Sequence, residues 1–190
     1  MYKRQDKFHS PRASFTSFLF SILNILSPII PIQEKDVQDT LKKLEEVSKI
    51  IKPGISTEEI DKVCYTYIND HKAYSAPLFY RGFPKSCCTS PNHVVCHGIP
   101  SDKILKDGDI VNVDVTALKD GWHGDTSRMF KVGDISIKAK KLINTTYEAM
   151  IKAINIVKDG IHLGDIGSVI QQHVETEGFS VVQDLSLIHI

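Results

Sequence analysis

Two aspartates near the middle of the chain, Asp114 and Asp125, have the residue type and the spacing to bind metal ions. Asp114 lies in the apolar stretch 110–115, where an ionised carboxylate is costly unless a partner compensates for its burial. The Asp-Gly pair at 120–121 is typical of a two-residue hairpin loop, which places Asp114 opposite Ser127 and puts both aspartates on one face. They can then converge on one or two cations. The alternative is a solvated pair on an exposed strand.

A second group of residues with chemical potential is the cluster Cys87, Cys88, His93, Cys96 and His97. Thiolates and imidazoles at such spacing can form a zinc site, but the pairs do not match a Cys-x-x-Cys knuckle. Chelation by the adjacent Cys87 and Cys88 would also be strained. The favoured interpretation makes Cys88 a small apolar wall residue and presents His97 from a loop.

A hairpin and four amphipathic helices position these residues. The hairpin strands are predicted at 110–116 and 122–130. The second helix begins with a capping box formed by Ser56 and Glu59 and ends near His71. The apolar positions of the four helices are, in order, Val37, Leu41, Leu44, Val47 and Ile51; Ile60, Val63, Cys64, Tyr67 and Ile68; Leu142, Met150, Ile154 and Val157; and Ile166, Val169, Ile170 and Val174.

The helices repeat along the chain. The segment 51–55 recurs as 157–161, a shift of 106 residues that also superimposes the apolar positions of the second and fourth helices. Two helix pairs joined by the same turn imply an internal duplication. The first copy continues into a long loop and the hairpin, whereas the second has no such continuation. The sequence therefore favours a larger domain that lacks its last part over a degenerate repeat.

Composition bounds the class of protein. A chain of 190 residues with 42% hydrophobic residues can build one sizeable core. Because 23 basic residues balance 23 acidic ones, we expect no specificity for nucleic acid. The segment 1–31 begins with basic residues and continues with an apolar stretch, which is too short and contains too many polar residues to span a membrane. We interpret the segment as an unstructured extension, either leader-like or spurious. No membrane association is expected.

Four motifs resemble the type I methionine aminopeptidases of bacteria and organelles. They lie at 82–86, 92–100, 107–116 and 120–127, and the resemblance runs from about Ile32 to Asp184. It implies an α+β pita-bread fold, in which two halves are related by a pseudo-twofold axis, here with an incomplete second half. We thus divide the chain into the extension 1–31, a partial catalytic domain 32–184 and a tail 185–190 outside the family pattern.

The resemblance also implies a function and a set of site residues. Such enzymes remove the initiator methionine from nascent proteins at a site of two divalent ions, which the sequence leaves open among Co, Mn, Fe and Zn. The two hairpin aspartates correspond to metal ligands, and His97 to a residue that contacts substrate near the scissile bond. The residues that correspond to walls of the methionine pocket are Tyr80, Phe83 and Cys88.

The chain departs from the family pattern after Asp184. Family members complete the metal site with one histidine and two glutamates of the second half, and a further histidine assists catalysis. The Gly-His-Gly motif is missing, because residues 185–190 contain no glycine and His189 is not a credible replacement. We therefore expect that this chain contains no complete set of catalytic residues and that a full metal site needs ligands absent from it. The chain as written is expected to be inactive.

Two other functions remain open at this point: a pita-bread module that binds partners without catalysis, and another pita-bread peptidase such as prolidase or Xaa-Pro aminopeptidase. The retained aspartates argue against the first and the loop 96–100 against the second. The resemblance implies the N-terminal methionine of nascent polypeptides as partner, at the ribosome, and a monomer. We expect a cytoplasmic protein, or an organellar one if 1–31 is a genuine leader.

Overall fold

The computed structural model of the chain describes residues 47–182, of which residues 47–50 are helical. Predicted positions outside the described residues are Val37, Leu41 and Leu44 of the first helix and the segments 1–31 and 185–190. The remaining elements are helix α1 (Thr57–Asp70), strand β1 (Tyr74–Ser75), a 3-10 turn (Tyr80–Gly82), strands β2 (Cys88–Pro91), β3 (Ile110–Lys119) and β4 (Trp122–Lys131), and helices α2 (Ile137–Asn155) and α3 (Leu163–Thr176).

The strands form an antiparallel sheet around β3. One edge of β3 pairs with β4 over its whole length, and the other edge pairs with β2 and, further along, with β1. The predicted hairpin is confirmed, and both strands run slightly further than predicted. Asp120 and Gly121 have φ angles of 51° and 84°, the left-handed pair that a two-residue turn between twisted strands requires.

The two faces of the hairpin have different partners. Val111 and Val113 of β3 pack with Ile60 and Cys64 of α1 in one apolar cluster. At one end of the sheet, Ile110 joins a second cluster with α2 and α3. Side chains alternate across a strand, so the even-numbered residues of β3, which include Asp114, lie on the face away from α1.

The start of α1 is as predicted, but its apolar stripe is narrower. The backbone nitrogen of Glu59 donates to Ser56 Oγ over 3.1 Å, and the nitrogen of Ser56 donates to Glu59 Oε2 over 2.8 Å, which confirms the capping box. The prediction that Val63 belongs to the buried stripe is wrong, since this residue is 38% exposed. Ile60, Cys64 and Ile68 are buried, because only the side of the helix that meets the sheet is covered.

The later helices also differ in detail from the prediction. Helix α2 ends at Asn155, so Val157 lies beyond it in the turn that leads to Gly160. Of the four apolar positions predicted for α3, only Val174 is buried, and the others are half-buried. The stripe of α3 is therefore only partly covered by the described residues.

The structure confirms the internal repeat. Helices α1 and α3 both have 14 residues, and their first and last residues differ by the same 106 positions. Gly54 and Gly160, which precede them, have φ angles of 96° and 84°. Asp165 accepts from the nitrogen of His162 over 2.8 Å, as Glu59 does from Ser56. The turn before α3 and α3 itself thus repeat the backbone path of the turn before α1 and of α1.

Among residues 47–182, no helix combines the length and the apolar composition that crossing a membrane requires.

Candidate functional site

The two predicted ligand aspartates lie on one face of the hairpin. Asp114 pairs with Ser127 and Asp125 pairs with Thr116, which is the register that the two-residue loop predicts. Both aspartates are half-buried. Diagonal neighbours of this kind are about 7–8 Å apart between Cα atoms, a span that carboxylates can bridge through bound cations. The geometric part of the prediction is confirmed.

Thr116 orients one of these carboxylates. Its hydroxyl donates to Asp125 Oδ1 over 2.9 Å, directly across the hairpin. A hydrogen bond of this kind restricts the carboxylate to one orientation and leaves other lone pairs for a ligand. The two-residue loop also predicts that Thr116 lies opposite Asp125, and this opposition is the sequence signal for a role that we had not assigned to Thr116.

Strand β2 brings Cys88 onto the same face. Cys88 pairs with Asp114, which pairs with Ser127, so the three residues form a row across the sheet. Cys88 is buried, with 7% of its surface exposed. Sequence reasoning did not identify β2, because a four-residue strand that ends in proline gives little periodic signal. Its pairing places the predicted pocket residue beside the predicted metal ligand.

One member of this row, Ser127, forms a buried polar pair with Asn112 that sequence reasoning missed. Ser127 Oγ donates to Asn112 Oδ1 over 2.9 Å, and Asn112 is 4% exposed. Within residues 47–182, Asn112 Nδ2 has no hydrogen-bond partner. A buried donor without an acceptor is costly. The described part of the chain therefore leaves one hydrogen-bond donor on this face, Asn112 Nδ2, without an acceptor.

His97 is fixed at the outer edge of β2. The nitrogen of Thr89 donates to Gly98 O over 2.9 Å, and the nitrogen of Gly98 donates to Ser90 Oγ over 3.2 Å. A Cβ atom at Gly98 would lie 2.1 Å from Thr89 O, so only glycine permits this approach.

Tyr80 and Phe83 lie in the turn that precedes β2. The nitrogen of Phe83 donates to Tyr80 O over 3.0 Å, and Phe79 and Arg81 have left-handed φ angles of 66° and 48°. Phe83 is half-buried, whereas Tyr80 is 55% exposed. The structure therefore groups Cys88 with the two aspartates, attaches the loop that carries His97 to the outer edge of β2, and leaves Tyr80 at the solvent side of its turn.

The disfavoured zinc interpretation of the Cys/His cluster gains no support. Cys87 packs with Cys64 on the α1 side of the sheet, while Cys88 lies on the opposite face. Across the described residues, no group of three or more histidine, cysteine, aspartate or glutamate side chains could hold a metal ion. The two hairpin carboxylates are oxygen donors that suit a divalent ion, and they fit such an ion as part of a ligand set.

The family of the chain follows from comparison with known proteins. Residues 37–190 match the description of metallopeptidase family M24. The chain belongs to this family. Among curated M24 relatives, it is 55% identical to the methionine aminopeptidase of Rickettsia prowazekii over 141 residues and to that of Escherichia coli strain K12 over 143. In both cases the match covers 74% of this chain and 54% of the relative, so the chain spans about half their length.

Solved structures agree with the fold. Methionine aminopeptidase from Rickettsia prowazekii matches with a TM-score of 0.75 and 50% identity, over 82% of this chain and 65% of that one. The enzyme from Thermotoga maritima gives 0.72 and 37%, over 74% and 57%. An Xaa-Pro dipeptidase from Bacillus anthracis gives 0.62 at 23% identity, over 71% and 37%, and shares the fold alone. The predicted pita-bread fold is confirmed.

Proposed function

We propose that the protein is a metal-dependent aminopeptidase that removes the initiator methionine from nascent polypeptides. One observation carries the proposal: Asp114 and Asp125 share a sheet face on which Cys88 lies directly beside Asp114. This places a candidate metal centre against a candidate side-chain pocket. The names of the relatives at 55% identity support the same activity.

The two aspartates would hold two divalent ions, from Co, Mn, Fe or Zn, together with ligands from beyond the described residues. When bound, such ions activate a water molecule and polarise the scissile carbonyl. Thr116 holds Asp125 in a fixed orientation for this role. The buried Asn112 donor supports an incoming polar group at the same face.

The remaining site residues serve substrate recognition in this proposal. Cys88, Phe83 and Tyr80 would form a pocket for the methionine side chain, since a thioether favours polarizable and aromatic surroundings. His97 would contact the substrate near the scissile bond, from its fixed position at the edge of β2. The Xaa-Pro enzymes share only the fold at their low identity, so they do not support the prolidase alternative.

The cellular setting is proposed on the same basis. We place the protein at the ribosome in the cytoplasm, as a monomer, with an organellar location as the alternative if 1–31 is a leader. The division into an extension 1–31, a partial catalytic domain 32–184 and a tail 185–190 also stands as a proposal. With only two ligands proposed in the described residues, the 190-residue polypeptide by itself is expected to show no turnover.

Metal binding tests the first half of the proposal. Calorimetric titration with Mn²⁺ should give measurable binding to the 190-residue chain, and Asp114→Asn and Asp125→Asn should each abolish it. Asp120→Asn is the matched control, because it makes the same charge change in the turn of the same hairpin, where the left-handed backbone accepts asparagine. Equal binding by all four proteins would contradict the assignment.

Substrate specificity tests the second half. Residues 47–182 can replace the matched part of the Rickettsia prowazekii enzyme, which supplies the rest of the fold. The chimera should release methionine from Met-Ala-Ser and leave Ala-Pro uncleaved, and Asp114→Asn should abolish the release. A folded chimera that cleaves Ala-Pro, or that releases no methionine, would contradict the proposed function.

A further inference from the structure

A buried carboxylate on the far side of the sheet holds the segment that leads into β2. Asp61 of α1 is 7% exposed, and its Oδ1 accepts three hydrogen bonds. The donors are the nitrogen of Ser86 at 2.8 Å, the hydroxyl of Ser86 at 2.6 Å and the nitrogen of Cys87 at 3.0 Å. Hydrogen bonds to a buried carboxylate are among the stronger ones in proteins, so this contact fixes the segment firmly.

Further contacts hold the same segment. The hydroxyl of Ser75 donates to the carbonyl oxygen of Ser86, and Lys85 Nζ donates to Glu58 Oε1 over 2.8 Å. Glu58 and Lys85 lie nearer the surface, and their hydrogen bond lowers the pKa of Glu58 and raises that of Lys85. Surface ion pairs contribute little to stability, so the buried carboxylate of Asp61 is the principal anchor.

The anchored segment lies between two of the proposed pocket residues. Phe83 lies three positions before Ser86, and Cys88 follows Cys87 directly as the first residue of β2. Ser86 and Cys87 are almost fully buried. Because β2 has only four residues, its register against β3, including the pairing of Cys88 with Asp114, depends on where this segment is held.

Asp61 itself cannot touch a ligand at the proposed site. Helix α1 packs on the face of β3 that carries Val111 and Val113, opposite the face that carries Asp114. Any effect of Asp61 on the pocket must therefore pass through the backbone of residues 86–88.

We propose that Asp61 is a positioning residue for the methionine pocket: through Ser86 and Cys87 it sets where Cys88 lies beside Asp114. The inference rests on the proposed function for the identity of the pocket. Its structural content, that one carboxylate controls the start of β2, can be tested without substrate.

Hydrogen exchange of the full 190-residue chain measures this directly. Asp61→Ala should speed the exchange of the Ser86 and Cys87 amides about tenfold or more, since both lose their acceptor. Amides of β3 and β4 should exchange as in the unmodified chain. Asp61→Asn keeps one side-chain oxygen as acceptor, so it should restore protection to within about threefold. Asp70→Ala, at an exposed position of the same helix, is the matched control and should change nothing.

Thiol labelling gives a second readout. In Asp61→Ala, Cys88 should react with iodoacetamide about ten times faster, while Cys64 of α1 stays protected and so reports that the core is intact. Unchanged rates at Ser86, Cys87 and Cys88 would overturn the inference. So would acceleration spread evenly over α1, β2 and the hairpin, or failure of Asp61→Asn to restore protection.

The two proposals fail separately. Absence of Mn²⁺ binding by the unmodified chain, or of methionine release by the chimera, would overturn the proposed function. The exchange rates at residues 86–88 could remain as expected in that case. If Asp61→Ala does not fold, Asp61→Asn still tests the inference, because exchange of the Ser86 and Cys87 amides more than about threefold faster than in the unmodified chain would overturn it.

Discussion

Thr116 and Asp125 face each other across the hairpin, and the Thr116 hydroxyl donates to the Asp125 carboxylate over 2.9 Å. A proposed metal ligand is thus oriented by the strand that carries the other proposed ligand, Asp114. The hairpin therefore supplies both carboxylates and the group that restrains one of them. The orientation of the Asp125 carboxylate therefore depends on the register in which β3 and β4 pair.

Replacing Thr116 by valine keeps the side-chain shape and removes the donor. We expect Mn²⁺ affinity to fall about tenfold, because groups that orient a ligand typically contribute 10- to 100-fold to metal affinity. Calorimetry and circular dichroism together measure affinity and fold. Thr66→Val, at an exposed position of α1, is the control and should bind as the unmodified chain does. Unchanged affinity in Thr116→Val would show that the hydrogen bond has no part in binding.

Gly98 is the point at which the His97 loop touches β2. Gly98→Ala places a Cβ atom 2.1 Å from Thr89 O, so the loop must move away and lose two hydrogen bonds. We expect a loss of about 1–3 kcal/mol in the free energy of unfolding, measured by urea denaturation. Gly164→Ala, in the first turn of α3 with no neighbour within 4 Å, should instead stabilise by about 0.5–1 kcal/mol. Equal effects would contradict the close approach.

Cys87 should make the protein sensitive to alkaline pH. Its hydrogen bond with the Cys64 thiol, its burial and the nearby Asp61 carboxylate raise the pKa of the Cys87 thiol above its ordinary value of 9.0. Above pH 9 the Cys87 thiol loses its proton in the unfolded chain but keeps it in the folded chain, so folding stability falls as pH rises. Below pH 9 the thiol is protonated in both states, and the free energy of unfolding does not change with pH through this group.

The measurement compares the unmodified chain with Cys87→Ala between pH 8 and pH 10. The free energy of unfolding of the unmodified chain should fall more steeply, by up to about 1.4 kcal/mol per pH unit above 9. Parallel curves for the two proteins would contradict the assignment. The half-buried Cys96 should also be alkylated well before Cys87 at pH 8.

The end of α1 is stabilised less well than the matching end of α3. Lys72 and Gly178 occupy the same position in the two repeats, with left-handed φ angles of 55° and 80°. Glycine adopts this conformation without the steric cost that other residues incur. Lys72→Gly should therefore stabilise the fold by about 0.5–1 kcal/mol in urea denaturation, and Gly178→Ala should destabilise it by a similar amount. A loss of stability in Lys72→Gly would contradict the equivalence of the repeats.

The sequence predicted the features that depend on short-range rules. A two-residue loop and strict alternation determine the hairpin register, and so the common face of Asp114 and Asp125. The capping box of Ser56 and Glu59 is equally local. The repeat was visible because a turn and its flanking apolar positions recur at one spacing.

The features that sequence reasoning missed depend on contacts between distant parts of the chain. Strand β2 pairs with an edge of β3, and the segment before it donates hydrogen bonds to Asp61, 25 residues earlier in the chain than Ser86. The exposure of Val63 depends on how much of α1 the sheet covers. The place of His97 depends on the fit of Gly98 against Thr89. None of these contacts leaves a periodic pattern.

The turn at Asp120 and Gly121 has a consequence for how this protein can change during evolution. Exposed turns ordinarily tolerate insertions and deletions, and Gly121 has open space around it. A single inserted residue would nevertheless shift β4 by one place and carry Asp125 to the side of the ribbon that α1 covers. The length of this solvent-facing turn therefore decides the common face of Asp114 and Asp125 as strictly as the presence of the two acidic residues does.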